Sequence, residues 1–291
     1  MDVNASFHVI EPEIGDSPLL VEVPHAGLAL DPEAASWIAA PARSLARDAD
    51  LYVDELFADT PALGGTLLCA RLSRYVIDLN REEDDYDGAT VVDGPARDRP
   101  RGVVWRLTSE GLPVLRDRLP ASEYQRRCAQ FYRPYHAALR RLLERKRERF
   151  GFAVMLCAHS MPTPRPALQR SVQTELDADL VPGTRGRTSA SAEWIDLVER
   201  MGVARGWRVQ HDIPYRGGFS TSYYGRPADG YHAVQIEIAR RLYMDETTLA
   251  RSPEGFATVR AFAYQLVAQM VRTAREACSA AARAHGPQGV S

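Results

Sequence analysis

Apolar runs without alternation mark strands buried on both faces, and this chain carries several of them, each stopped by turn or polar residues. Residues 19–23 (LLVEV) end at Pro24-His25-Ala26-Gly27, and a second run within 66–79 ends at Asn80-Arg81. Residues 152–157 (FAVMLC) end at Ala158-His159-Ser160, and 207–213 and 233–238 read as further strands, with 103–107 a weaker sixth. Between them, helical spacing of apolar positions predicts helices over 49–57, 123–149, 192–201 and 256–284, with Pro134 kinking or splitting the second at Arg133. Strands alternating with helices predict an α/β fold, a mixed, largely parallel sheet sandwiched by helices. Residues 81–101 and 162–188 are rich in charge, Gly and Pro and read as long loops, while 286–291 read as a frayed tail. No Gly/Ser linker divides the 291 residues, so a single domain over 1–291 is expected.

Composition narrows the functional classes. Hydrophobic residues at 45% and charged residues at 25% are ordinary for a globular domain, and the length suffices for a substantial core. A formal charge of −2 lacks the basic surplus of a nucleic-acid binder. No run reaches the roughly 18 apolar residues of a membrane span, and the acidic N-terminus does not read as an export signal, so a cytoplasmic protein is expected. Cys69, Cys128, Cys157 and Cys278 are widely spaced and form no C-x-x-C pair, which reads as reduced core thiols.

Ligands bind outside the carboxyl ends of strands in open α/β sheets, and His25 and His159 each follow a predicted strand. Two imidazoles placed alike can converge on a metal, though a loop histidine also bonds to backbone. A third ligand could come from Asp48, Asp50 or Asp54; Asp50 and Asp54 are four apart, on one face of the predicted helix, where acids also serve as caps. In Val234-Gln235-Ile236-Glu237-Ile238 the two-residue period sends Gln235 and Glu237 to one face. Glu237 therefore pairs with an Arg such as Arg240 or Arg241, faces a polar cavity, or lies on a solvated edge. Arg74, Asn80 and Arg81 bracket a strand end, where a guanidinium fork suits a carboxylate or an anionic transition state. Gly217 and Gly218 follow another predicted strand and allow close approach to a ligand.

Taken together, these segments resemble the N-formylglutamate amidohydrolase family from about Ser17 to Glu246. The likeness rests on Pro24-His25-Ala26-Gly27, the acidic stretch from Asp50 to Leu56, Arg74 to Arg81, Ala158-His159-Ser160-Met161, Tyr215-Arg216-Gly217-Gly218 and Gly230 to Glu237, in that order. The resemblance implies a zinc-dependent amidase with the phosphorylase/hydrolase-like fold of zinc carboxypeptidases, acting on a small-molecule N-acyl amino acid such as N-formyl-L-glutamate. It implies His25, Asp50 and His159 as zinc ligands, with Asp54 or Asp48 as alternatives for the acid. It further implies Glu237 as general base and acid, Arg74 as oxyanion stabiliser, and Asn80 and Arg81 as carboxylate binders, with Gly217, Gly218 and Thr221 lining the side-chain pocket. Glu82-Glu83-Asp84-Asp85 stands where family members often carry a proline. A non-catalytic amino-acid-binding protein on the same fold, or a zinc amidase acting on peptidoglycan-type peptides, are the alternatives.

Overall fold

The computed structural model describes residues 6–163 and 177–284. Its frame is a six-stranded sheet of order β1-β3-β2-β4-β6-β5. These strands are β1 (Phe7–Ile10), β2 (Leu19–Val23), β3 (Thr66–Ala70), β4 (Ala153–Met161), β5 (Leu180–Gly183) and β6 (Tyr231–Ala239). The four central strands run parallel, while β1 pairs with β3 and β5 with β6 antiparallel, so the sheet is mixed with a parallel centre, as predicted. From β2 the chain goes to β3 on one side and then crosses to β4 on the other, which makes the β2/β4 boundary the topological switch point, the place where ligands bind in open α/β sheets.

Period-2 alternation sorts the strand residues onto two faces. Leu19, Val21, Val23, Val154, Leu156, Val234, Ile236 and Ile238 share one apolar core. It is covered by helices α3 (Val53–Leu56), α6 (Ala192–Ala204) and α8 (Pro253–Ala284). Helix α8 contributes Val259, Phe262, Ala263, Leu266, Val267, Met270, Val271 and Ala274, the i, i+3, i+4, i+7 stripe of a helix lying on a sheet. The opposite face meets α4 (Ala121–Arg127) and α5 (Arg133–Phe150), which are joined through a π-turn, Cys128–Tyr132. Arg127, Cys128, Tyr132 and Arg133 all keep right-handed helical angles, so the predicted helix 123–149 is not split at Arg133 but runs on through a π-turn just before Pro134.

Several expectations are corrected. Strand β4 runs past Cys157 to Met161, so His159 lies within the strand and not after it. The second run stops early: β3 ends at Ala70, so Arg74, Asn80 and Arg81 lie in the irregular segment after it and do not bracket a strand end. Residues 207–213 form no strand; Val209 makes only an isolated bridge to Leu180, and 103–107 likewise contributes only bridges. The predicted helix 49–57 is interrupted: α2 (Ala42–Asp48) ends before Ala49, and Tyr52 at φ 68° breaks the helical path before α3. The loop 81–101 is not purely peripheral, since Asp87, Thr90 and Val91 are buried, with the Asp87 carboxylate accepting from Thr90 Oγ1 (2.6 Å) and the Arg99 N–H (2.7 Å). The loop 162–188 contains β5; its residues 164–176, and the tail 286–291, lie outside the described residues. All four cysteines are free, three of them buried. Among the described residues no helix is long and apolar enough to cross a membrane.

Candidate metal centre and active site

The parallel strands deliver their carboxyl ends to one edge, and there His25, Asp50 and His159 meet. All three are buried, and one ligand atom from each lies within 4.8 Å of the others. The turn after β2 carries His25, whose carbonyl accepts the Asp50 N–H at 2.9 Å, so the α2–α3 turn is pinned to the β2 turn. Gly27 tightens that turn further: an added Cβ would stand 2.3 Å from the Arg71 carbonyl carbon. His159 Nδ1 lies 3.0 Å and His25 Nδ1 3.5 Å from Asp50 Oδ2, with the rings 4.9 Å apart between centroids. Arg240 Nη2 (3.0 Å) and Ser160 Oγ (3.2 Å) hold the other Asp50 oxygen. Burial alone would raise the Asp50 pKa, but hydrogen bonds and charge from His159 and His25 hold it well below the usual carboxylate range.

A shell around the triad orients it. Asp78 Oδ1 lies 2.8 Å from His25 Nε2; an ionised carboxylate only accepts, so this contact puts the proton on Nε2 and turns the Nδ1 lone pair toward Asp50. Asp78 Oδ2 is held by Arg74 through Nε (3.0 Å) and Nη2 (2.6 Å) and by Trp105 Nε1 (2.9 Å), with the Arg74 guanidinium stacked 4.4 Å above the Trp105 ring. Burial opposes the ionised form of Asp78, yet the charges of Arg74, His25 and Arg81 hold its pKa well below the ordinary value. The donor set of two imidazoles and a carboxylate, the first oriented by a second carboxylate, fits a divalent metal ion that takes nitrogen and oxygen ligands.

Glu237 sits directly across the β4/β6 pair from His159. Its face is the one the alternation predicts, but its partner is not an arginine: Arg240 goes to Asp50, and Arg241 to Asp179. Gln235 Nε2 instead donates to Glu237 Oε1 at 2.9 Å. Burial pushes the Glu237 carboxyl up to about 7, against the lowering charge of His159 and with the raising charge of Asp50.

The remaining predicted residues ring this centre. Asn80 is buried with its amide engaged by protein: Nδ2 lies 3.2 Å from His159 Nε2 and 3.3 Å from Gln235 Oε1, and Oδ1 accepts the Ser220 N–H at 2.9 Å. Arg81 is half-buried and donates to the carbonyls of Arg101 (3.2 Å) and Asn80 (2.9 Å). Gly218 abuts Asn80, where a Cβ would stand 2.4 Å from Nδ2, and Gly217 has φ 96°. These glycines lead into α7 (Phe219–Tyr224), which carries the buried Thr221. Of the alternative acids, Asp48 turns away to Tyr75 (2.6 Å) and Ser109, and Asp54 lies outside the cluster, its pKa raised chiefly by burial. The acidic stretch after Arg81 is partly neutralised by Glu83–Arg133 (2.7 Å) and Asp85–Arg99 (3.0 Å) pairs. Sequence reasoning gives no role to Asp78, Trp105 or Gln235 and offers Arg240 only as a partner for Glu237, although Arg240 holds Asp50; for Gln235 the shared face with Glu237 is a usable signal, whereas Trp105 reaches Asp78 across 27 residues with no pattern to announce it.

Comparison with known proteins agrees with this geometry. The model of the N-formylglutamate amidohydrolase family matches residues 17–244. An N-formylglutamate deformylase of Pseudomonas putida is 37% identical over 256 residues, covering 85% of this chain and 87% of its own. Its counterpart in Pseudomonas aeruginosa is 32% identical over 238 residues, with 80% and 84% covered. The crystal structure of N-formylglutamate amidohydrolase from Ralstonia eutropha JMP134 superposes with a TM-score of 0.86 at 33% identity, covering 94% of this chain and 99% of that one. With a matching family model over most of its length and relatives above 30% identity at both sequence and structural level, the chain belongs to the N-formylglutamate amidohydrolase family.

Proposed function

We propose that the protein is a zinc-dependent amidohydrolase that cleaves N-formyl-L-glutamate to formate and L-glutamate, in a single catalytic domain related in fold to the zinc carboxypeptidases. The observation that carries this reading is the buried His25-Asp50-His159 cluster with Glu237 beside it, in a chain of this family. His25, Asp50 and His159 would hold the ion, and their nitrogen and oxygen donors suit zinc. Zinc bound there supplies Lewis acidity, which polarises a carbonyl and makes water acidic near neutral pH.

The chain's own residues do the rest. Glu237, with a pKa of about 7, is matched to taking a proton from water and returning it to the leaving amine nitrogen, which an amide needs to expel so basic a group. Arg74 is the candidate to stabilise the developing oxyanion; it lies at the centre through Asp78. Arg81 is the candidate reader of the substrate α-carboxylate, with Asn80 beside it, and Gly217, Gly218 and Thr221 bound the side-chain pocket. Since the Asn80 amide is already engaged by His159, Gln235 and Ser220, we assign carboxylate binding chiefly to Arg81.

Elemental analysis of protein purified without chelators, combined with turnover of N-formyl, N-acetyl and N-carbamoyl amino acids, tests this directly. One zinc per chain and fastest hydrolysis of N-formyl-L-glutamate are expected, with activity lost on chelation and restored by zinc. Binding of these compounds without turnover by zinc-loaded protein would instead favour a binding protein on the same fold.

A further inference from the structure

We propose that Gln235 is a positioning residue that sets the orientation of the Glu237 carboxylate and ties it to the loop beneath the substrate pocket. This rests on the reading of Glu237 as the general base given above.

The side chain of Gln235 is buried in β6, on the same face as Glu237 and two residues before it. Its Oε1 accepts the Gly218 N–H at 2.8 Å, with Asn80 Nδ2 at 3.3 Å and Thr221 Oγ1 at 3.4 Å; its Nε2 donates to Glu237 Oε1 at 2.9 Å. A backbone N–H can only donate, so the oxygen of the Gln235 amide must face Gly218 and the nitrogen must face Glu237. A flipped amide would set two donors against each other at Gly218 and two acceptors at Glu237. The amide therefore has one orientation, and Glu237 Oε1 has a fixed neutral donor that holds the carboxyl plane while the other oxygen stays available for proton transfer.

The same amide fixes the pocket side. Gly218 cannot retreat toward Asn80, where even a Cβ would collide, and Asn80 Oδ1 in turn accepts the Ser220 N–H at the start of α7. Strand β6, the loop at Gly218 and the first turn of α7 thus meet on a single buried side chain. A general base must sit within hydrogen-bond reach of its proton, and displacement by about 1 Å can cost on the order of 10²-fold in rate.

Gln235→Glu is the decisive variant. It keeps the size of the side chain and the acceptor for Gly218, but replaces the neutral N–H donor to Glu237 with a second carboxyl, which can donate to it only by sharing a proton. On the zinc-loaded protein we expect kcat for N-formyl-L-glutamate to fall about 10²-fold with KM within about threefold, and zinc content and Tm close to wild type. In an inactive Glu237→Gln background, adding Gln235→Glu should leave the Kd for N-formyl-L-glutamate within about threefold, because the residue acts on the base and not on binding. Gln235→Met also gives up the acceptor for Gly218, so it should lower kcat at least as far and raise KM as well. Unchanged kcat in either active variant, or losses in kcat, KM and Tm together in Gln235→Glu, would overturn the assignment of Gln235 alone. A zinc-loaded wild type that hydrolyses no N-acyl amino acid overturns the base reading and this inference with it.

Discussion

The two faces of the sheet are built from alternate residues of the same strands, and both pack an apolar core, but only one of them also carries a buried polar row. On one face, β2, β4 and β6 offer Leu19, Val21, Val154, Leu156, Val234 and Ile236 to the stripe of α8, an apolar layer whose contribution is burial alone. On the other, the same strands offer Glu22, Cys157 and Gln235 in register, a polar row under α5 and α7. Glu22 is fully buried and accepts from Tyr135 Oη (3.1 Å), Ser220 Oγ (3.0 Å) and Cys157 Sγ (2.6 Å). Ser220, Asn80 and Gln235 then extend the row to Glu237 at the carboxyl edge. Buried polar groups cost stability unless every partner is present, so a row this complete indicates that the carboxyl end of this face is kept for chemistry, while Leu20, Met155 and Ala233 of the same face still pack an apolar core against α5.

That division can be broken from either side. The largest effect is expected at the end of the polar row: Glu237→Gln should lower kcat about 10³-fold, since it removes proton transfer while preserving shape, and zinc content and Tm should stay near wild type. Steady-state kinetics beside metal analysis decide it, and turnover within about tenfold of wild type would reduce Glu237 to a structural group. On the apolar face the pattern should invert. Leu266→Ala, at a fully buried position of the α8 stripe, should cost about 3 kcal/mol in denaturant unfolding while kcat/KM per folded molecule stays within about twofold. A comparable loss of kcat/KM in the folded variant would mean that the faces are not separable.

The smallest effect sharpens the comparison through pH. His136 of α5 packs on the polar side, with Nδ1 3.0 Å from Tyr224 Oη, and burial drives its pKa down to about 3. The folded state thus holds the imidazole neutral while the unfolded chain, near 6.5, takes up a proton. Because the unfolded state binds more protons below 6.5, stability falls as pH drops from there toward about 3, by about 2 kcal/mol at pH 5. Unfolding measured at pH 7 and pH 5 should show a smaller difference in His136→Asn than in wild type; equal slopes would exclude His136 as the source.

Much of this was legible in the chain. Unbroken apolar runs placed β2, β4 and β6, and the two-residue period put Glu237 on the correct face, because burial on both sides leaves a clear signature. The edge strands were not legible for the converse reason: β1 and β5 have four residues each, and β5 contains Pro182 and Gly183, which read as a turn. His25 is found from its place just past β2, and His159 from an expected strand end that β4 in fact runs through to Met161. Asp50 was expected on a helix and instead occupies a turn, because nothing local announces the left-handed Tyr52 that interrupts the helical path. Asp78 and Trp105 were missed because their contact depends on how a long, irregular segment folds back, a tertiary matter without periodicity.

The π-turn between α4 and α5 carries a consequence for alignments of this family. Arg127 and Tyr135 are both fully buried, Arg127 bonding the Val76 carbonyl (2.9 Å) and Tyr135 bonding Glu22, although they stand on either side of Cys128–Tyr132. At about 100° per residue, an eight-residue step in an uninterrupted α-helix would separate the two by about 80°, whereas a seven-residue step would separate them by only about 20°. The wide turn absorbs the surplus residue. A relative one residue shorter in this segment could hold both contacts on a straight helix, whereas a one-residue deletion outside it would rotate one contact away from the sheet; length changes tolerated by evolution should therefore cluster at positions 128–132.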